Sequence, residues 1–480
     1  MSMAPASSLP PGPRLPMPAQ TLLAVFSTER FAAHCRRRFH SMVSLKIAGL
    51  GDVVSVWDAE LIKTVFTGDP EQWRAGEANA RFLSAPAGRS SVLVLDGAPH
   101  LRMRRMVLPP FHGEAVRKYE ELIAEATAAE VEHWPVGEVF PIHPRMQAIA
   151  LEVILRAVIG VRDGRRLERL RPLLARVAGA NLFAFWAEGA YPRVAASPIA
   201  SRLPWLAARR EVDRLLYEEI AAHRADPDGR DDVLALLMAA GAGAPSRSGD
   251  DAGEDASPAS PASPSGLAPE GVQERPLSDE ELRDQLATLL VAGHETTATA
   301  LAWSFERLLR HPRCLRRLQE EIAAGDDEAY LEAVVNETLR VRPVIDQAVR
   351  KLASPVRLAG YTLPAGTVVA ASILGVQLSE SYDAPEEFRP ERFLERAAPA
   401  YALIPFGGGV RRCVGASFAV MEMKTILRTV LERVELQAPS PRPERPIRWR
   451  RFTVSPSRGA RVIVTARRPA PVPAGSPARS

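Results

Sequence analysis

"FGGGVRRCVG", residues 406–415, places three consecutive glycines, two arginines and a single cysteine in ten positions, directly ahead of a helical-looking stretch. Glycines at 407, 408, 409 and 415 allow positive φ angles and let backbone approach a flat ligand closely. Arg411 and Arg412, with a helix N-terminus just beyond, favour a thiolate over a thiol at Cys413. A charged sulfur in such a loop is a nucleophile or a metal ligand; the bland alternative is a buried structural cysteine. A phosphate cradle fails, because the lysine and hydroxyl of a P-loop are absent.

Working outward, the chain has 480 residues, 46% of them hydrophobic and 25% charged, which is enough to build a large buried core. A formal net charge of +4 without a basic stripe or recognition motif argues against nucleic-acid binding. Cys35, Cys314 and Cys413 are far apart and odd in number, which supports neither a disulfide framework nor a zinc ribbon and fits a reducing, cytoplasmic compartment. The N-terminal stretch reads as neither signal peptide nor membrane span, so a soluble protein is expected.

Residues 1–20 are proline-rich and read as an irregular arm. "VSLKIAGLGDVVSVWD" (43–58) alternates apolar and polar residues and predicts a β-hairpin. From about 59 to 240 the period is helical. Residues 241–276 form a Ser/Pro/Ala/Gly/Asp segment that reads as a disordered insertion within one domain spanning 21–465, and 466–480 form a Pro/Ala/Arg tail. Ser278 and Glu281 form a capping box that opens a helix running to about His311, where Pro312 stops it. Such a helix is roughly 45–50 Å long and crosses the centre of the molecule. Short strands follow near "PVRLAGYTL" (355–363) and "GTVVAAS" (366–372). The fold class is therefore mainly α with small β-sheets (α+β).

Phe406, Gly409, Arg411, Cys413 and Gly415 match F-x-x-G-x-R-x-C-x-G, and in this the chain resembles the cytochrome P-450 haem-thiolate monooxygenases. The resemblance implies the cytochrome P-450 fold, with haem between a long central helix and the cysteine loop. It makes Cys413 the metal ligand, packs Phe406 beside the sulfur, and sends Arg411 to a haem propionate. Cysteine thiolate as a haem ligand pushes electron density toward the iron and favours O–O cleavage.

Other motifs follow in family order. "AGHETT" (292–297) puts a glycine in mid-helix, costing about 1 kcal/mol relative to alanine, and suggests a local distortion. Ala292 and Thr296 share a face at i,i+4. The stretch is similar to the family's A-G-x-[DE]-T segment, which makes Thr296 the hydroxyl that hydrogen-bonds the oxygen co-substrate and Glu295 the acid that relays protons to it. "ETLR" (337–340) places Glu337 and Arg340 at i,i+3; with Arg392 of "RPERF" they match the family's buried E-x-x-R assembly, a structural role. His100 and Arg104 at i,i+4 suit the carboxylates of a haem, and Arg350 matches another propionate arginine. Pro109-Pro110 cuts the propionate helix short.

The resemblance thus implies a soluble, monomeric monooxygenase carrying heme b and using O2 as co-substrate. It would act on a small apolar molecule of fatty-acid, terpene or polyketide type; the "PPFHG" stretch (109–113) resembles bacterial members that oxidise such compounds. The sequence lacks a flavin or iron–sulfur domain, so electrons would come from a ferredoxin or flavodoxin with its NAD(P)H reductase, with Arg102, Arg105 and Arg412 as candidate contacts. Two alternatives share the fold: a peroxygenase or isomerase, against which Glu295 and Thr296 argue, and a haem-binding sensor. A Cys–His hydrolase would need a histidine set against Cys413 and an oxyanion site, to neither of which the sequence points.

Overall fold

The computed structural model describes residues 9–26, 28–160, 164–178, 203–226, 230–240, 275–325, 327–447 and 453–468. The predicted hairpin forms: β1 (Met42–Ile47) and β2 (Gly51–Val56) pair antiparallel, with Gly49 and Gly51 supplying the positive φ of the turn. β2 then runs parallel to β8 (Val368–Ser372), which pairs antiparallel with β5 (Gln347–Leu352), and β5 with β3 (Trp73–Arg74). The resulting five-stranded sheet has order β1-β2-β8-β5-β3. Among the described residues three small sheets complete the β structure: β4 (Val139–Pro141) with β12 (Arg461–Arg467) and β9 (Val434–Gln437), β6 (Val356–Leu358) with β7 (Tyr361–Leu363), and β10 (Pro446–Ile447) with β11 (Ser455–Pro456).

Helices make up most of the remainder: α1 (Met17–Phe26), α2 (Thr28–Arg38), α3 (Ala59–Thr67), α4 (Ala75–Ala87), α5 (Gly97–Val107), α6 (Glu114–Arg117), α7 (Glu120–Val131), α8 (His143–Ile159), α9 (Gly164–Ala178), α10 (Pro204–Ala225) and α11 (Val233–Ala240). After the insertion come α12 (Asp279–Leu308), α13 (Pro312–Ala324), α14 (Ala329–Val341), α15 (Ile373–Gln377), α16 (Arg392–Glu395) and α17 (Ala416–Arg433). No helix among the described residues is long and apolar enough to cross a membrane.

Two boundaries differ from the sequence reading. Residues 17–20, expected in an irregular arm, open α1. Pro18 is tolerated in a first helical turn, where the missing amide costs no bond. Gln20 anchors the segment, donating to Leu15 O at 2.7 Å and accepting from the Lys46 amide of β1 at 2.9 Å. Residues 466–467, assigned to the tail, finish β12 against β9. Of the insertion, 241–274 lie outside the described residues, as do 469–480 of the tail.

The axis of the molecule is α12, 30 residues or roughly 45 Å long. Its capping box forms as read: Ser278 Oγ accepts the Glu281 amide at 3.2 Å, and Glu281 Oε2 accepts the Ser278 amide at 2.8 Å. α8 packs along it, and both are buried with α7, α14 and α17 in the larger core, whose fully buried members include Met146, Ile149, Leu290, Leu301 and Ile426. A second core joins the five-stranded sheet to α3 through Val54, Val56, Ile62, Val65 and Phe66. The glycine read as a sign of distortion has a packing reason instead. α12 runs unbroken through 292–297, and a Cβ on Gly293 would meet Ile154 Cδ1 of α8 at 2.9 Å. Gly293 lets the two helices touch.

Candidate active site

The loop after residue 405 carries Cys413 to the foot of α17. The Cys413 amide donates to Phe406 O at 2.9 Å, closing the loop on itself, while the Phe406 ring packs against the larger core. Gly407 and Gly409 adopt φ of +70° and +62°. At Gly408 and Gly409 the close approach is to protein: a Cβ there would run into the ring and the carbonyl of Phe66 at the end of α3. Gly415 has ordinary φ and open space about it. The expectation that all four glycines serve a flat ligand is therefore corrected. Two of them clear the way for Phe66, which fixes the loop to the smaller core.

The Cys413 thiol lies deep between elements yet keeps accessible surface, so it lines a recess. Burial raises its pKa, against the opposing pull of the Gly415 amide, Arg104 and Arg412. Arg104 is placed for this by donating to Arg412 O at 2.6 Å. The other cysteines are unlike it. Cys35 is buried in apolar surroundings that push its thiol up to about 11.

His100 and Arg104 of α5, Arg350 of β5 and Arg411 of the cysteine loop come together as one cluster of basic side chains. His100 is driven down to about 3 by burial first, then by Arg411, Arg104 and Arg350. Arg350, buried on β5 with its guanidinium 5.5 Å from the centre of the Phe66 ring, falls to about 10 through burial and then Arg411. Arg411 falls to about 10 through burial, with Arg104 adding to the drop and Asp96 opposing it. Cations brought together out of water in this way need anionic partners. The partner seen is Asp96, whose Oδ1 lies 2.6 Å from Arg411. One carboxylate against this cluster leaves positive charge to satisfy, and the two carboxylates of a haem fit that need. The accessible sulfur of Cys413 fits the metal.

On α12, Ala292 is exposed and Thr296 half-exposed in the middle of an otherwise buried helix, so that one face opens onto space. The Thr296 hydroxyl donates to Ala292 O at 2.6 Å, which leaves its oxygen able to accept. Glu295 faces elsewhere. One residue along a helix turns the side chain by about 100°, and its carboxylate accepts from Gln147 of α8 and, at 3.2 Å, from Thr453, with His143 Nε2 at 3.8 Å. The acid and the alcohol are thus neighbours in sequence but sit in different surroundings.

The E-x-x-R assembly is buried outright. Arg340 binds Glu337 through two bonds of 2.7 and 2.8 Å and donates to the carbonyls of Gln377, Pro385 and Glu387. Arg392 adds a bond of 3.1 Å to Glu337. Of the arginines expected to meet a redox partner, Arg105 is exposed and Arg412 half-buried. Arg102 is committed elsewhere: it donates to Arg275 O at 2.7 Å and pairs with Glu281 at 3.5 Å.

Comparison with known proteins identifies the family. The Cytochrome P450 family profile matches residues 10–463. The chain is 41% identical over 479 residues to cytochrome P450 135B1 of Mycobacterium tuberculosis (strain ATCC 25618 / H37Rv), covering 98% of this chain and 94% of that protein. Against cytochrome P450 137 of the same strain it is 37% identical over 440 residues, covering 90% and 85%. Among solved structures it matches retinoic acid-bound cyanobacterial CYP120A1 with a TM-score of 0.77, 22% identity and coverage of 96% and 99%, and the haem domain of cytochrome P450DA with a TM-score of 0.74 and 22% identity.

The chain belongs to the cytochrome P450 family.

As a cytochrome P450 it is a haem-thiolate monooxygenase with the α+β fold expected from its sequence. Three residues around this P450 site escaped the sequence reading. Phe66, at the end of an amphipathic helix, gives no sign that it will meet Gly408, Gly409 and Arg350. Asp96 reads as an ordinary cap for α5. Glu422, on α17, is fully buried beside Thr297, with its carboxyl pushed up to about 8 by burial and only partly held back by the Thr297 hydroxyl. Its i,i+4 relation to hydrophobic Phe418 and Ile426 is the one sequence sign that it faces inward.

Proposed function

We propose that this P450 holds heme b through Cys413 and oxidises a small apolar substrate, of fatty-acid, terpene or polyketide type, by hydroxylation or epoxidation. The observation that carries the reading is the pairing of an accessible cysteine, set among Arg104, Arg412 and an amide, with a largely buried cluster of basic side chains that, among the described residues, meets one carboxylate, Asp96. When bound, the haem supplies oxygen activation at a thiolate-ligated iron.

The chain's own residues bind and orient. Arg104, Arg412 and the Gly415 amide favour the charged sulfur of Cys413 against the opposing effect of burial, and a bound metal would complete its deprotonation. His100, Arg104, Arg350 and Arg411 take the haem carboxylates. Phe406 closes the cysteine loop through its carbonyl and shields the sulfur from water with its ring. Ala292 borders the substrate space on α12, its small side chain leaving room beside Thr296. Thr296 presents its hydroxyl oxygen at that space and holds a proton on its bond to Ala292 O. Glu295 is the neighbouring acid, kept in reserve by Gln147, Thr453 and His143. Electrons come from an acidic ferredoxin or flavodoxin, supplied by an NAD(P)H reductase, that docks near Arg105 and Arg412. The enzyme works as a cytoplasmic monomer.

The test is Cys413→Ser. The reduced wild-type protein under carbon monoxide should give the red-shifted Soret band of a thiolate-ligated haem, and the variant should lose it. A correctly folded, haem-supplied wild type without that band would overturn the assignment. Titration of the ferric protein with lipids, terpenes and polyketides, read by displacement of water from iron, identifies the substrate class.

A further inference from the structure

Asp96 occupies the N-cap position of α5, yet its side chain makes no capping bond to that helix. Its carboxylate turns to another one. Oδ1 accepts the Gly76 amide and Oδ2 the Glu77 amide, both at 2.7 Å. These amides belong to the first turn of α4, whose own N-cap residue, Arg74, provides no side-chain bond. A negative charge therefore sits at the positive end of α4 from a residue some twenty positions downstream.

The same Oδ1 pairs with Arg411 at 2.6 Å. Arg411 donates in addition to Val92 O at 3.2 Å and to Leu95 O, so all three of its partners lie on the connection between α4 and α5. Gly76 closes the contact from the helix side, where a Cβ would meet the carbonyl oxygens of Val94 and Leu95 at 2.5 Å. Beyond the far end of α4, the chain is stitched to α12. Asp284 accepts the Ser90 amide at 2.7 Å, while Gln285 accepts the Val92 amide at 3.1 Å and donates to Ser90 O at 2.7 Å. α4 is 13 residues long, about 20 Å, and spans from the cation cluster to the helix that carries Ala292 and Thr296.

We propose that Asp96 is a positioning residue that couples the charge balance at the haem carboxylates to the seating of α4 beside the substrate space. The proposal rests on the haem-thiolate reading above. Arg411 is shared between Asp96 and a haem carboxylate. Asp96 limits how much positive charge the cluster presents to the haem and spends its remaining lone pairs on holding α4. Neutralising Asp96 loosens the helix and makes the surroundings of the haem more positive, which favours the reduced iron.

The test compares haem-loaded wild type with Asp96→Asn, Asp96→Ala and Asp96→Glu. Two quantities are read: amide hydrogen exchange across residues 75–80, and the ferric/ferrous midpoint potential. Asp96→Ala and Asp96→Asn should speed exchange at Gly76 and Glu77 about tenfold or more, leave α17 unchanged, and raise the potential. Asp96→Glu, which keeps the charge on a longer arm, should keep the potential near wild type. If Asp96→Ala does not retain haem, the near-isosteric Asp96→Asn carries the test. Unchanged exchange in the neutral variants overturns the proposal. So does faster exchange with an unchanged potential, which would make Asp96 a helix cap and nothing more. A wild type lacking the thiolate Soret band defeats the underlying haem reading instead, so the two failures are distinct.

Discussion

Replacing Glu422 with glutamine should stabilise this P450, by an amount set by pH. Burial against α12 lifts the Glu422 carboxyl from 4.5 to about 8, so at pH 7 it is protonated in the fold and ionised in the unfolded chain. A carboxyl whose folded pKa is raised lends full stability below its unfolded value and loses it as pH climbs toward the folded value. Between 4.5 and 7 that loss is 2.5 pH units at about 1.4 kcal/mol each, or about 3 kcal/mol. Glutamine keeps the shape, stays neutral at every pH, and can hydrogen-bond the Thr297 hydroxyl as the carboxyl does. Denaturant unfolding of the haem-loaded proteins at pH 5 and pH 8 reads the difference. The variant should gain less than about 1 kcal/mol at pH 5 and roughly 3–5 kcal/mol at pH 8. A pH-independent difference, or a variant weaker than wild type at pH 8, would refute the reasoning by showing Glu422 ionised in the fold.

Three further outcomes follow from the geometry. Arg340→Lys removes the bidentate fork on fully buried Glu337 and should cost roughly 3–5 kcal/mol, read as a lower unfolding midpoint and a poor yield of haem-loaded protein. Thr296→Ala should leave the spectra and reductant consumption intact while product formation falls roughly tenfold or more and peroxide accumulates, as measured by product and peroxide per reductant consumed. Gly409→Ala meets both a φ of +62° and the Phe66 carbonyl, so it should cost more than the roughly 1–2 kcal/mol expected at Gly407, where φ is +70° and the space is open; thermal midpoints of the two variants check the order.

The residues proposed to bear the chemistry stand in local patterns, and local patterns are what a sequence displays. Cys413 with its glycines and arginines, Ala292 and Thr296 one helical turn apart, the Ser278–Glu281 capping box and the Glu337–Arg340 pair are all set by spacings of a few residues. Helical geometry turns those spacings into shared faces. Two terminal boundaries were misplaced because they depend on distant strands: Gln20 reaches β1, and Arg467 pairs on β9.

By itself, then, the sequence determined the central helix and the helical character of the fold, and displayed the sulfur and hydroxyl proposed to act in it, since each is written in residues close along the chain. Tertiary structure alone decided what those groups meet. It set Phe66 under Gly408 and Gly409, turned Glu295 toward α8 rather than toward Thr296, withdrew Arg102 into contact with Glu281, and gave Asp96 to α4 and Arg411 instead of to its own helix. Each of these joins residues tens to hundreds of positions apart, and no local propensity encodes such a contact; packing density and the need to pair buried charge select it.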